Sequence, residues 1–155
     1  MFEIIPMTEA HLEGVLAVEE AVFSIPWTRQ DFEREIKENA LAVYFVAKSD
    51  DKIVGYAGMW HVVTEGHITN VAVLEEYRKQ GIGHGLMDAL EQVAAEREMI
   101  GITLEVRISN SAAQHLYHEH GYRPEGLRKN YYPDTKEDAV IMWKYFHWYE
   151  DYDKV

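Results

Sequence analysis

Glycines spaced closely before a helix are the feature of this sequence best suited to binding a ligand. Gly81, Gly83 and Gly85 follow the basic pair Arg78 and Lys79 and lead directly into a predicted helix. Glycine lets the backbone approach a ligand closely, and the amides at a helix N-terminus attract phosphate oxygens. The segment therefore predicts a phosphate-binding loop, with a solvated turn as the alternative that a glycine cluster alone leaves open.

Two common phosphate-binding motifs do not fit this loop. A P-loop has Gly-Lys-Ser or Gly-Lys-Thr after its first glycine, and no such tripeptide occurs in the chain. A dinucleotide-binding fingerprint has a third glycine at the position that Leu86 occupies. The loop therefore belongs to another class of phosphate-binding segment.

The histidines and the lack of cysteine bear on metal binding and nucleophilic catalysis. His115, His118 and His120 are clustered, but their spacing lacks the i, i+4 pair of the helical zinc motif. The chain contains no cysteine, which excludes disulfides, thiolate zinc sites and a cysteine nucleophile. We therefore predict that the protein has no metal site.

Strands and helices alternate around the glycine loop. Thr8, Thr28 and Asn110 each stand where a helix N-cap is expected, and a further helix follows the loop. Apolar patterns predict strands over residues 2–5, 42–48, 53–63, 67–73, 102–108, 122–129 and 139–146. This order predicts an α/β fold with a mixed sheet, in one domain over residues 1–147 with an acidic tail over 148–155.

The charge balance indicates the kind of partner. The chain carries 15 Lys and Arg against 27 Asp and Glu, a formal net charge of −12, and 47% of its residues are hydrophobic. The composition suits a domain with a substantial core and disfavours broad nucleic-acid binding, which depends on basic side chains. It favours a basic partner, because a like-charged partner is repelled on approach. No segment resembles a signal peptide or a membrane span, so we expect a cytoplasmic protein.

The glycine loop and several later segments resemble one known family. Residues 78–83, Arg-Lys-Gln-Gly-Ile-Gly after a hydrophobic strand, resemble the acetyl-CoA signature of the GNAT acetyltransferases. Within that family, residues 103–110, 112–113, 116–117, 121–122 and 128–132 are similar to the RimI-type ribosomal-protein-alanine N-acetyltransferases. The motifs occur in the family's order, and the similarity extends over nearly the whole chain.

The resemblance implies the GNAT fold, with acetyl-CoA as co-substrate and no metal. We expect a twisted, mixed sheet of six to seven strands flanked by about four helices, with two strands splayed apart at the CoA site. In the family, loop amides hold the CoA pyrophosphate, and the end of the preceding strand pairs with the pantetheine arm. The cofactor-binding residues implied here are Val71, Ala72, Val73, Arg78, Lys79, Gln80, Gly81, Ile82, Gly83, His84, Asn110 and Tyr117.

The same resemblance assigns two catalytic residues. Glu105 falls at the family's general-base position and would act directly or through water, whereas strand alternation alone favours a solvated glutamate. Tyr117 falls at the position of the acid that protonates the leaving CoA thiolate, whereas helical spacing alone favours a packed aromatic. A backbone amide near Val73 is expected to stabilise the oxyanion.

The expected reaction also follows from the resemblance. It is transfer of acetyl from acetyl-CoA to the α-amine of an N-terminal alanine of a small-subunit ribosomal protein. One alternative is a GNAT enzyme for other protein N-termini or for small-molecule amines. Another is a CoA-binding module without catalysis, which the presence of Glu105 and Tyr117 disfavours.

We also expect a slot that binds the extended N-terminus of the acceptor. Pro26, Trp27, Tyr131 and Tyr132 would line it, with ordinary aromatic packing as the alternative for each. We expect the acceptor to be a basic protein N-terminus, with no direct contact to nucleic acid or membrane. The enzyme is expected to be a monomer or a weak dimer.

Overall fold

One mixed sheet organises the protein. The computed structural model describes residues 1–146, so the predicted acidic tail at 148–155 lies outside the described residues. The strands are β1 (Phe2–Pro6), β2 (Ala42–Ser49), β3 (Lys52–Val62), β4 (Glu65–Val73), β5 (Gly101–Arg107), β6 (Arg123–Arg128) and β7 (Ala139–Tyr145). They lie in the order β1-β2-β3-β4-β5-β7-β6, and in this part of the chain only β4 and β5 pair in parallel. The predicted α/β fold class is confirmed.

Four α-helices connect the strands, namely α1 (Leu12–Val22), α2 (Arg29–Lys37), α3 (Ile82–Glu96) and α4 (Ser111–Glu119). The Thr28 N–H donates to Asp31 Oδ2 at 2.9 Å and the Asp31 N–H donates to Thr28 Oγ1 at 3.2 Å, a reciprocal cap of α2. Asn110 Oδ1 accepts from the Ala113 N–H at 3.1 Å and caps α4. Thr8 precedes a single 3₁₀ turn, so α1 begins after that turn rather than directly after Thr8. No helix in the described residues is long and apolar enough to cross a membrane.

The helices cover both faces of the sheet. On β3, the Tyr56 side chain contacts Glu19 of α1 and Phe32 of α2. The neighbouring Gly55 faces Ile82 of α3, because a Cβ at this glycine would lie 3.5 Å from the isoleucine side chain. Successive strand residues point to opposite faces, so α1 and α2 lie on one face of the sheet and the start of α3 lies on the other.

The two central strands separate along their length. β4 and β5 pair only where Glu65 to His67 lie opposite residues 101–103. Beyond that point β4 continues beside β3, and β5 continues beside β7. A β-bulge at Thr69, on the β3 side of β4, lies where the separation begins. The predicted splayed strands are therefore confirmed, and the opening lies toward the carboxyl ends of both strands.

Candidate active site

The opening between β4 and β5 collects the residues that are suited to chemistry. In sheets with parallel strands, ligands bind beyond the carboxyl ends, at the point where neighbouring strands diverge. The end of β4 leads into the glycine loop and the N-terminus of α3. β5 carries Glu105 and leads into α4, which carries Tyr117. The predicted cofactor loop and the two predicted catalytic residues thus flank one opening.

The backbone conformation shapes the glycine loop, in which Arg78, Lys79 and Gln80 are exposed. Gly81 has a φ of 86°, and a Cβ there would meet no atom within 4 Å, so conformation and not space favours glycine. Arg78 Nε donates to the Val73 carbonyl at 3.1 Å and ties the loop to the end of β4. Within residues 1–146, no side chain caps the start of α3. The amides of its first turn are therefore available to an anion.

Three predicted cofactor residues, Ile82, Gly83 and His84, pack against the rest of the protein. Ile82 is buried in the core. Gly83 lies against Leu116 of α4, whose side chain would stand 3.1 Å from a Cβ at the glycine. His84 Nδ1 lies 2.8 Å from His120 Nε2, and the two imidazole rings stack. These three positions can therefore offer an anion their backbone amides.

Val71, Ala72 and Val73 form the β4 wall of the opening. Their backbone pairs with β3 on one side, and the Ala72 side chain is buried. On the other side, among the residues described, no strand pairs with β4 beyond His67. A free strand edge offers unpaired N–H and C=O groups to an extended ligand. This edge therefore fits the predicted contact with the pantetheine arm.

Glu105 lies half-buried on β5 beside a basic side chain. Its Oε1 accepts a hydrogen bond from Arg128 Nε at 3.0 Å, and 29% of its side chain is exposed. Among the first 146 residues, no group donates a hydrogen bond to Oε2. The carboxylate therefore has one oxygen held in place and one oxygen available to take a proton, as a general base requires.

Tyr117 is buried on α4, with its ring centroid 6.0 Å from that of Tyr122. In the described part of the chain neither hydroxyl has a hydrogen-bond partner, but only that of Tyr122 is sealed from solvent. Burial raises the pKa of Tyr117 above its ordinary value, and negative charge at Tyr132 would raise it further. The phenol therefore keeps its proton at neutral pH.

Tyr131 and Tyr132 follow β6 and lie near Glu105. Their rings meet edge to face with centroids 5.1 Å apart. The Arg107 guanidinium lies 4.0 Å from the Tyr132 centroid, and that of Arg128, which also binds Glu105, lies 5.8 Å from the Tyr131 centroid. Burial raises the pKa of Tyr132 to about 12, against the opposing effect of the Arg107 charge. The structure thus brings both tyrosines to the predicted base.

Pro26 and Trp27 lie in the segment between α1 and α2. Pro26 is exposed, whereas the Trp27 ring packs on Phe32 with centroids 5.2 Å apart. The Trp27 N–H donates to Glu19 Oε2 at 2.9 Å. Aromatic packing, the alternative stated for Trp27, therefore accounts for its ring. A contact of this segment with the acceptor stays a prediction.

The clustered histidines contact neighbouring side chains of the protein. His115 Nε2 pairs with Glu119 Oε1 at 2.5 Å, whereas His120 stacks on His84. Within residues 1–146, no group of three or more His, Cys, Asp or Glu side chains is arranged to hold a metal ion. His120 instead connects the end of α4 to His84 and Glu91 of α3, and His115 pairs within α4.

Sequence reasoning missed three side chains that support the site. Glu19 is buried beneath Trp27, although its place in the apolar stripe of α1 was a signal of burial. Arg107 binds Asp134 at 2.9 Å in the segment after Tyr132. No local pattern pairs these two residues, because the fold brings them together from distant parts of the chain.

The acetyltransferase (GNAT) family model matches residues 12–122, which include the glycine loop, Glu105 and Tyr117. The chain belongs to the GNAT acetyltransferase family. The splayed strands and the uncapped loop are the structural features on which acetyl-CoA binding in such an enzyme would depend. As a GNAT enzyme, the protein is an N-acetyltransferase with acetyl-CoA as its co-substrate, which confirms the predicted enzyme class.

Similar proteins cover most of this GNAT enzyme. A Bacillus subtilis protein is 42% identical over 85% of this chain and 87% of its own length. The ribosomal protein bS18-alanine N-acetyltransferase of Escherichia coli is 33% identical over 84% of this chain and 88% of its own. The crystal structure of the Escherichia coli ribosomal-protein-S18-alanine N-acetyltransferase matches with a TM-score of 0.83 and 31% identity, over 92% of each chain. The predicted RimI-type resemblance is confirmed.

Proposed function

We propose that this GNAT enzyme acetylates the α-amine of an N-terminal alanine in a small-subunit ribosomal protein. The observation that carries the proposal is the similarity to the Escherichia coli ribosomal protein bS18-alanine N-acetyltransferase, which extends over most of both chains. Tyr131 and Tyr132, two of the predicted acceptor-binding residues, lie next to Glu105. This supports the proposal, because the amine of a bound acceptor has to reach the base.

Glu105 is the proposed general base. An α-amine has a pKa of about 7.7–8.0, so most of it is protonated at neutral pH and must lose a proton before it attacks. Arg128 holds one carboxylate oxygen at 3.0 Å, which orients the side chain while the other oxygen takes the proton directly or through water. General base catalysis of this kind contributes about 10²–10⁴-fold to rate.

Tyr117 is the proposed general acid. Its burial keeps the phenol protonated, so a proton is available for the sulfur that leaves. A thiol has a pKa near 8.5, so transfer from a phenol is uphill and depends on the position that α4 gives the hydroxyl. A backbone amide near Val73 is proposed to stabilise the oxyanion, through a dipole that needs no reorganisation.

The charge of the enzyme supports a basic protein N-terminus as the acceptor. The net charge of −12 attracts a cationic segment and repels nucleic acid. Pro26, Trp27, Tyr131 and Tyr132 are the proposed lining of the slot. Aromatic side chains provide a large contact area for an extended peptide at a low cost in conformational entropy.

A mass-spectrometric screen of acceptors tests the proposal. The purified enzyme is incubated with acetyl-CoA and short basic peptides that begin with alanine, serine or methionine. Parallel reactions contain N-terminally blocked lysine peptides, polyamines and aminoglycosides. We expect acetylation of the alanine peptide at its α-amine and none of the blocked peptides. Exclusive acetylation of a small amine would contradict the ribosomal acceptor, and acetylation of all N-termini alike would contradict its alanine specificity.

A further inference from the structure

We propose that Asp134 is a positioning residue that joins the two walls of the acceptor slot by accepting a hydrogen bond from Ser24. One wall is the segment 24–28 between α1 and α2, and the other is the segment 129–137 between β6 and β7. Each wall carries two of the predicted acceptor residues, so the inference rests on the proposed function. We refer to the Ser24–Asp134 hydrogen bond as the clasp.

The Asp134 carboxylate is fully engaged with the protein. Its Oδ2 accepts from Ser24 Oγ at 2.9 Å and from Arg107 Nη2 at 2.9 Å. Its Oδ1 accepts from the Thr135 N–H at 2.8 Å. With both oxygens committed, the carboxylate is poorly placed to bind an acceptor amine itself. Its effect on the acceptor is therefore exerted through the positions of the two walls.

The clasp connects segments that the sequence places far apart. Ser24 and Asp134 are separated by 110 residues. In the part of the chain that the structure describes, no other hydrogen bond or ion pair joins the two walls. The first wall is held separately at Trp27, whose N–H donates to Glu19 at 2.9 Å. The clasp is thus the bond that sets the separation of the walls at the Ser24 end.

Arg107 connects the clasp to the strand that carries the proposed base. It is the last residue of β5, two positions after Glu105. Its guanidinium lies 4.0 Å from the Tyr132 centroid, and Nη1 lies 3.4 Å from Glu137 Oε2. The second wall is thereby fixed to β5, and Ser24 fixes the first wall to the second. The clasp therefore aligns both walls with the proposed base.

Asp134, which accepts the hydrogen bond of the clasp, is an ionised carboxylate. Hydrogen bonds from Arg107 and Ser24 hold the pKa of Asp134 down to about 2. A hydrogen bond from a hydroxyl to a charged acceptor is stronger than one between neutral groups. This supports a bond that persists at the surface, where a neutral pair would exchange readily with water.

Steady-state kinetics of Ser24→Ala with an alanine-starting peptide test the clasp. Loss of one hydrogen bond should raise the KM for the peptide about threefold to tenfold. The kcat should stay within about twofold, because the Arg128 hydrogen bond that orients Glu105 is left intact, and acetyl-CoA binding measured by calorimetry should not change, because the glycine loop lies outside the two walls. Ser24→Thr keeps the hydroxyl and should restore the peptide KM. Ser49→Ala, which removes a serine hydroxyl bonded to the Met1 carbonyl, is the matched control and should behave as wild type.

A double-mutant cycle identifies the partner. If the clasp is the interaction lost, Ser24→Ala combined with Asp134→Ala should raise the peptide KM no further than Asp134→Ala alone. Multiplicative effects of the two substitutions, or an unchanged KM in Ser24→Ala, would overturn the proposal. Ser24 is exposed, so Ser24→Ala decides the question even where Asp134→Ala fails to fold.

Wild-type activity separates the two proposals. If the wild-type enzyme acetylates the alanine peptide but Ser24→Ala leaves the peptide KM unchanged, the proposed function stands and the clasp is overturned. An enzyme that acetylates only small amines lacks the proposed ribosomal acceptor. The KM for that amine in the same variants then tests whether the clasp still shapes the slot.

Discussion

The two sides of the opening between β4 and β5 are built from different kinds of interaction. The cofactor side is formed largely by one continuous stretch, residues 71–84, which offers a free strand edge and helix amides to the ligand, with Asn110 and Tyr117 of the α4 region as its other predicted contacts. The acceptor side joins side chains from β5 and from the two walls through ion pairs, cation–π contacts and an edge-to-face pair of rings. Backbone geometry therefore governs the first side and side-chain chemistry the second. Substitution of side chains should accordingly cost most on the acceptor side.

The largest effect should follow from Glu105→Gln. Glutamine keeps the shape of the side chain but cannot take a proton, so kcat/KM for the alanine peptide should fall about 10³-fold, within the range for loss of a general base. Acetyl-CoA binding by calorimetry should be unchanged, because the residue lies on the acceptor side. Glu65→Gln, at the closed end of the same two strands, is the control and should retain activity. A Glu105→Gln variant with wild-type turnover across pH would show that another group takes the proton.

The second effect in size should follow from Tyr117→Phe. Loss of the proposed acid should lower kcat about 10²-fold while acetyl-CoA binding weakens little. Tyr122→Phe is a matched control, because it removes a neighbouring hydroxyl that is sealed and has no partner within residues 1–146. Its kcat should stay within about twofold of wild type. Equal turnover in both variants would remove Tyr117 from the chemistry.

The pH profile supplies a second test of Tyr117. An acid acts in its protonated form, which is present below the pKa of the folded enzyme and lost above it. Burial raises that pKa above the ordinary value of 10.0. Deprotonation of Tyr117 should therefore cause no loss of kcat as pH rises from neutral to about 10. If the wild-type kcat begins to fall before the pH has risen to 10, and the kcat of Tyr117→Phe does not, the predicted effect of burial is contradicted.

Sequence alone predicted the helices and strands more completely than the contacts between distant segments. Thr28 and Asn110 are recognisable because a helix cap is encoded within a few neighbouring residues, and the glycine loop before α3 is equally local. The seven strands follow from alternation for the same reason. The Ser24–Asp134 bond is a different matter, because it depends on how distant segments meet in the folded chain. The acceptor tyrosines came from family resemblance, and only the structure shows what holds them.

The side-chain contacts of His84 and Ile82 show a limit of motif reasoning. The motif marks positions along the loop, but it does not tell whether a position would contribute its side chain or its amide. In the structure the imidazole stacks on His120, and the isoleucine lies in the core. The distinction depends on α4 packing against α3, which is a tertiary arrangement.

Among substitutions that add one methyl group on the cofactor side, Gly81→Ala should weaken acetyl-CoA binding most. The φ of 86° strains an L-residue by about 1–2 kcal/mol, although a Cβ would meet no atom within 4 Å. If the loop leaves this conformation, the Kd for acetyl-CoA should rise about 5- to 30-fold, with the peptide KM unchanged. Gly126→Ala, where a Cβ would make an ordinary 3.5 Å contact with Ile141, is the control. Equal Kd values in both variants would mean that the loop does not need the left-handed residue.

The smallest effect concerns Glu19, which supports the acceptor wall from below. It is 1% exposed and accepts hydrogen bonds from the Trp27 N–H and the Tyr56 hydroxyl. Burial raises its pKa above the ordinary 4.5, against the opposing effect of those two bonds. A raised carboxyl pKa means that the folded state holds the proton more tightly than the unfolded state does. The stability that Glu19 contributes is therefore complete below pH 4.5 and declines as pH rises through the folded pKa.

Glu19→Gln removes this titration and keeps both contacts, because the amide oxygen accepts from Trp27 and the amide nitrogen donates to the Tyr56 oxygen. The melting temperature of the variant relative to wild type should therefore rise as pH increases above 4.5, because the wild-type enzyme loses this contribution and the variant does not. Glu20→Gln, on the exposed neighbour, should show no such trend. A variant less stable than wild type at every pH would mean that Trp27 is held by an ionised carboxylate. The acceptor wall would then depend on charge at its base as well as at Asp134.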